Sequence, residues 1–143
     1  MPHQLAPGVI EIDTLLGGWE RVTAGYLIEG EAPVLVETGS QSSVPTLLAA
    51  LADLGIGADD LAHVVVTHIH LDHAGGVGDV ARAFPKATVH VHEKGARHLI
   101  DPSRLVASAG RASRGWRRRR GDAGPGRRSR RWNRDRAGRR TRP

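Results

Sequence analysis

The sequence of 143 residues contains no cysteine. Disulfide bonds and zinc sites built from thiolates are therefore excluded, and cysteine usage indicates nothing about the redox compartment. The length suits one domain and no more.

Long apolar runs are also missing. No stretch approaches the roughly 20 apolar residues that cross a bilayer. The N-terminus lacks the basic region followed by an apolar region that marks a secretory signal peptide. We therefore expect a cytoplasmic protein that has no membrane partner.

Lysine is absent from the end of the chain, although that end is strongly basic. Residues 1–110 hold 6 Lys and Arg against 13 Asp and Glu, a net charge of −7, whereas residues 111–143 hold 15 Arg, no Lys and 2 Asp, a net charge of +13. The tail also has too few apolar residues to offset the entropy cost of ordering. We therefore divide the chain into a domain over residues 1–109 and a disordered Arg-rich tail over residues 110–143.

The first part of the domain has the pattern of an antiparallel sheet. Alternating residues over 9–13 and apolar runs over 22–30 and 33–37 predict three strands joined by tight turns. Leucines on one face then predict a helix over residues 44–54.

Strands and helices alternate in the second part of the domain. The valine run over residues 63–67 predicts a strand inside the sheet, covered on both faces. A helix over 77–84, a strand over 87–92 and a helix over 93–99 follow. This alternation predicts an α/β fold in which helices pack over a sheet.

The densest group of potential metal ligands lies in Thr67-His68-Ile69-His70-Leu71-Asp72-His73-Ala74-Gly75-Gly76. If His68 and His70 extend from the valine strand, they point the same way and can hold one ion. Asp72 and His73 follow after a turn, and therefore suit a neighbouring ion. Imidazole and carboxylate ligands are typical of zinc. The alternative is a histidine-rich surface loop or an adventitious metal site.

The motif His68-Ile69-His70-Leu71-Asp72-His73, followed by Ala-Gly-Gly, resembles that of the metallo-β-lactamase-fold hydrolases. The resemblance implies an αβ/βα sandwich, a mixed sheet with covering helices, of which residues 8–109 correspond to the N-terminal half. It also implies one or two Zn²⁺ ions in a complete site. His68 and His70 would bind the first ion and Asp72 and His73 the second, with Asp72 also orienting the attacking hydroxide.

Zinc lowers the pKa of bound water from 15.7 to about 7. The implied activity is therefore hydrolysis of an ester, thioester or lactam carbonyl in a small-molecule substrate. The motif looks most like that of thioester hydrolases of the glyoxalase II type.

Other polar residues fall around the motif. Glu37-Thr38-Gly39 stands where the family usually has Asp-Thr-Gly, so we expect Glu37 and Thr67 to support the histidines, with plain turn chemistry as the alternative for Glu37. His90 and His92 share a face of a predicted strand and can form a pair, but we prefer a plain strand-rim position. His3 is assigned to a floppy terminus.

No histidine follows His98. The family supplies a histidine, a bridging aspartate and a final histidine from its second half, and Asp101, Asp122 and Asp135 lack the matching surroundings. We therefore expect a truncated site that has weak zinc binding and little or no turnover. A sheet face and edge left uncovered would favour self-association.

The tail has two main interpretations. Arg, Gly, Ala and Pro have GC-rich codons, so out-of-frame translation explains a tail without lysine, and the protein would be a truncated metallohydrolase. Alternatively, a genuine basic arm would make it a non-catalytic nucleic-acid-binding protein, which binds polyanions with little sequence preference. Its densest cationic run is Arg117, Arg118, Arg119 and Arg120, and Trp116 and Trp132 could stack on bases. A basic extension without function is a third possibility.

Overall fold

The computed structural model describes residues 2–108, in which six strands form one mixed sheet. The strands are β1 (Pro2–Ala6), β2 (Val9–Asp13), β3 (Ala24–Ile28), β4 (Val34–Val36), β5 (His63–Val65) and β6 (Thr88–His90). The helices are α1 (Val44–Asp53), α2 (Leu71–Ala74), α3 (Val77–Ala83) and α4 (Glu93–Ile100). In this part of the chain, no helix is long and apolar enough to cross a membrane.

The order of the strands across the sheet is their order in the sequence. Strands β1 to β4 are antiparallel neighbours, and for β2, β3 and β4 this pairing is the one that the tight turns predict. Strands β4, β5 and β6 run parallel, with helices in the crossovers between them. The predicted α/β class and the mixed sheet are therefore confirmed.

Strand β1 is an element that the sequence did not indicate. His3, which was expected in a floppy terminus, lies opposite Glu11 in the antiparallel β1–β2 ladder. The side chains of β1 are mostly exposed, so the segment carries no apolar alternation that would reveal it. Backbone pairing with β2 holds the strand, and that pairing leaves no mark in the sequence of β1 itself.

The hydrophobic core lies between one face of the sheet and the helices. Every second residue of the inner strands points into it, and the inner faces of α1 and α3 close it. The fully buried apolar side chains are Ile12, Leu27, Leu35, Leu47, Leu51, Leu61, Val64 and Val80.

The opposite face of the sheet is less well covered. Val34, Val36 and Val65 are only half-buried there, and Ile28 is 41% exposed. The valine strand β5 has a neighbour on both sides, as expected, but within residues 2–108 only one of its faces is fully covered. The reason is that α1 and α3 both pack on the core side.

Candidate metal centre

The parallel pairing of β4 and β5 brings two separate parts of the sequence to the same edge of the sheet. Glu37 directly follows β4, and Thr67 and His68 follow β5. The Glu37 N–H donates to the carbonyl of Val65 at 2.9 Å, which fixes the register at this edge. The carboxyl ends of parallel strands are where α/β sheets place their binding sites.

The loop after β5 turns back on itself through α2. The His70 carbonyl accepts from the N–H groups of His73 at 3.0 Å and Ala74 at 2.8 Å. This turn places the His73 ring 4.2 Å from the His68 ring, centroid to centroid, and the His70 ring lies 4.9 Å from that of His68. Asp72 Oδ2 is 3.5 Å from His73 Nε2. Each of the four side chains of the sequence motif therefore lies beside another of the four, but only His68 and His73 belong to the group, completed by Glu37, whose ligand atoms all lie within 4.8 Å of one another.

Thr38 fastens α2 to the end of β4. Its N–H and its hydroxyl both donate to the His73 carbonyl, at 3.0 and 3.1 Å. One residue on, the Gly76 N–H donates to the Gly39 carbonyl at 3.0 Å. These bonds hold the second half of the metal loop against residues 38 and 39.

Glu37 is the buried acidic group of the cluster, with only 5% of its surface exposed. Its backbone φ is +65°, a left-handed conformation that costs a non-glycine residue about 1 kcal/mol. Its Oε1 accepts from the Thr67 N–H at 3.0 Å and, through a short hydrogen bond, from the Thr67 hydroxyl. The strained backbone thus aims a carboxylate into the metal loop.

Thr67 also contacts His68, because its Oγ1 lies 2.9 Å from His68 Nδ1. The single hydroxyl hydrogen of Thr67 points to the Glu37 carboxylate, so Oγ1 accepts from the Nδ1–H of His68. A neutral imidazole protonated at Nδ1 carries its free lone pair at Nε2. His68 is thereby set to bind a metal ion through Nε2.

The second carboxylate oxygen of Glu37 has no hydrogen-bond partner among the described residues. It lies 3.6 Å from His73 Nδ1. An unsatisfied buried acceptor costs about 1–3 kcal/mol, and a bound cation would remove that cost. One ligand atom each of Glu37, His68 and His73 lies within 4.8 Å of the others. Nitrogen and oxygen donors of this kind fit zinc.

The contact between Glu37 and His73 was not predicted from the sequence. The available signal was the parallel arrangement of the two strands, which places residues following β4 beside residues following β5. The sequence suggested the neighbourhood of Glu37 only through the family resemblance, and gave no distance to His73.

The remaining histidines lie outside the cluster. His90 Nε2 is 3.0 Å from His63 Nδ1, so the pairing considered for His90 and His92 is not formed. His92 Nδ1 instead accepts from the Lys94 N–H at the start of α4. The strand ends at His90, which turns His92 away from it.

An open cavity of about 410 Å³ adjoins His68. The loop after β5 forms one side of it and α4 forms the other. The lining residues include Ile69, Val91, Lys94 and Arg97. Ile69 and Val91 give this cavity apolar lining, and Lys94 and Arg97 give it positive charge, which suits a small molecule that carries negative charge.

The profile of the metallo-beta-lactamase superfamily matches residues 17–138. The chain belongs to the metallo-β-lactamase superfamily. From the sequence, the resemblance was assigned to residues 8–109. The matched range begins later, at residue 17, and ends later, at residue 138. The part of it after residue 108 lies outside the described residues.

Individual relatives match shorter parts of the chain. The mouse metallo-beta-lactamase domain-containing protein 1 is 42% identical over 59 residues, which are 41% of this chain and 21% of that protein. The atrochrysone carboxyl ACP thioesterase of Pseudocercospora fijiensis is 33% identical over 67 residues, 46% of this chain and 19% of that enzyme. The chain thus spans about a fifth of the length of these relatives.

Solved structures of the superfamily share the fold. MEM-A1, a subclass B3 metallo-beta-lactamase from a soil metagenome library, superimposes with a TM-score of 0.60 at 24% identity. The superposition covers 68% of this chain and 34% of MEM-A1. The membership rests on the family profile, and this likeness supports the α/β architecture.

Proposed function

We propose that this chain carries the metal-binding part of a zinc-dependent hydrolase that acts on carbonyl substrates. The observation behind the proposal is the clustering of His68, His70, Asp72 and His73 at the carboxyl end of β5. The family motif implies that in a complete site His68 and His70 bind one ion, and Asp72 and His73 bind a second.

Zinc, when bound, supplies a Lewis acid that polarises a carbonyl group and lowers the pKa of water to about 7. The protein positions its own groups around that chemistry. Thr67 holds His68 with Nε2 free, and Thr38 fixes the turn that carries His73. The Asp72 side chain is 46% exposed beside His73, so its carboxylate is placed to accept a proton from attacking water.

The cavity next to His68 is the proposed substrate site. The cationic side chains of Lys94 and Arg97 favour a substrate that has a carboxylate or another anion near the bond to be cleaved. A thioester is the first class to test, because the motif has the glyoxalase II-type form and one relative is named a thioesterase.

The donors available limit what this chain does by itself. A catalytic zinc site uses three protein ligands and an open position, and the sequence has no histidine after His98. We therefore propose that the 143-residue chain binds zinc weakly and turns over slowly. Ligands from a second half of the superfamily fold would complete the site.

The test is to purify the full chain, measure zinc affinity by competition with a chromophoric chelator, and assay a carboxylated and a neutral thioester. We expect weak, saturable zinc binding that the variant His68→Ala removes. Turnover should be slow, zinc-dependent and faster with the carboxylated substrate.

Two results would change this proposal in different ways. A chain that binds no zinc has no metal centre, and the proposal is then wrong. Two tightly bound ions and rapid thioester hydrolysis would keep the hydrolase but contradict weak binding and impaired activity.

A further inference from the structure

Glu37 has one carboxylate oxygen engaged and one free. Oε1 is occupied by the two donors of Thr67, whereas Oε2 is buried and has no hydrogen-bond partner in residues 2–108. The free oxygen faces His73 Nδ1 at 3.6 Å, too long for a hydrogen bond. The arrangement of the carboxylate therefore points its unused lone pairs into the cluster.

Three donors of the cluster come from different elements; Glu37 is buried, His73 is half-buried and His68 is exposed. Glu37 follows β4, His68 follows β5 and His73 belongs to α2, and one ligand atom of each lies within 4.8 Å of the others. His70 and Asp72, the other two donors of the loop, do not belong to this mutually close group.

The geometry points to Glu37 as a direct metal ligand, which together with His68 and His73 forms a three-ligand site for one zinc ion within residues 2–108. This inference rests on the proposed function, because it concerns where zinc binds first in this chain. Two imidazoles and a carboxylate, with one position open, form a recognised ligand set of catalytic zinc. Glu37 thus does more than support the histidines, and the first ion is held without His70 or Asp72.

The variant Glu37→Gln tests whether Glu37 binds the metal ion itself or only supports the histidines. Glutamine has nearly the same volume, and its amide oxygen still accepts from both donors of Thr67. The group in place of Oε2 becomes an NH₂, which has no lone pair suitable for zinc. His68 therefore keeps its support while the site loses its carboxylate ligand.

The matched variant is His70→Gln/Asp72→Asn, which removes the other two donors of the motif. Zn²⁺ affinity is measured by chelator competition, and Co²⁺ is added separately to record its ligand-field absorption. We expect the double variant to keep one ion per chain and its Co²⁺ spectrum. A residue that only supports a metal ligand contributes roughly 10- to 100-fold to metal affinity. The zinc affinity of Glu37→Gln should fall by more than this, and its Co²⁺ spectrum should change.

The outcomes distinguish this inference from the proposed function. If the unaltered chain binds no zinc, both are wrong. If the double variant loses its ion while Glu37→Gln keeps the Co²⁺ spectrum, the motif ligands hold the metal and Glu37 is not a ligand. Thermal unfolding in a chelator reports whether Glu37→Gln folds. If Glu37→Gln does not fold, the double variant alone tests the inference, and loss of zinc from the double variant overturns it.

Discussion

Thr67 connects the buried carboxylate of the cluster to one of its histidines. Its hydroxyl donates to Glu37 and accepts from His68 Nδ1. Thr67→Val removes that hydroxyl at almost constant volume, so the His68 ring loses both its orientation and its fixed tautomer. We expect zinc affinity, measured by chelator competition, to fall by about 10-fold or more.

Thr67→Ser is the control for this prediction, because serine keeps the hydroxyl and loses only the methyl group. Its zinc affinity should stay close to that of the unaltered chain. Equal affinities of the valine and serine variants would show that the hydroxyl does not orient His68.

At the scale of single residues, the sequence predicted the motif and not its buried partner. His68, His70, Asp72 and His73 lie within six positions, so any local turn keeps them near one another. The approach of Glu37 to His73 depends on the parallel register of β4 and β5 and on a positive φ. A glutamate with that backbone angle has no sequence signature.

The packing of α3 against α1 depends on a glycine at the start of α3. A Cβ atom on Gly76 would lie 2.6 Å from Val44 Cγ2 and 3.0 Å from the Thr38 carbonyl oxygen. Gly76→Ala therefore pushes the end of the metal loop away from α1 and from residue 38. We expect a loss of about 1–3 kcal/mol in the free energy of unfolding, measured by urea denaturation.

Gly78→Ala, two residues along the same helix, is the matched control. Its Cβ would find the nearest atom 3.9 Å away, at the end of the Arg82 side chain. Alanine in an open helical position stabilises by up to about 1 kcal/mol. Similar losses in both variants would contradict this prediction, because they would show that the contact with Val44 does not determine the result.

At the scale of elements, periodicity predicted the segments that bury an apolar face. Helix α1 begins at Val44 as expected, because Leu47 and Leu51 repeat at helical spacing. Strand β2 has the predicted bounds, whereas the later strands are shorter than predicted. Strand β5 ends at Val65, and the residues after it leave the ladder to form the metal loop. Strand β1 was not predicted because its side chains are mostly exposed.

At the scale of the whole molecule, the opposite charges of the two parts give a testable contrast. Residues 111–143, which carry a net charge of +13, lie outside the described residues, and the nucleic-acid hypothesis depends on their charge alone. If the arm binds phosphates, affinity for single-stranded DNA should fall about 10³-fold or more between low and physiological salt. Fluorescence anisotropy of a labelled oligonucleotide measures this dependence.

Deletion of residues 111–143 is the control, because it leaves a chain of net charge −7. That variant should lose DNA binding and keep its zinc affinity. Unchanged DNA binding would contradict the arm hypothesis. A reading frame past codon 105 that encodes a Gly-His turn, an aspartate and a last histidine would instead identify the tail as an out-of-frame product.

The agreement between strand order and sequence order also bears on how the protein is synthesised. Chains emerge from the ribosome N-terminus first, and each strand of this sheet finds its partner already outside the exit tunnel. The antiparallel part is complete at Val36, before any of the clustered histidines has been translated. We therefore expect the nascent sheet to form without metal. Zinc would then be acquired by a preformed scaffold, and its supply would not set the rate at which the sheet assembles.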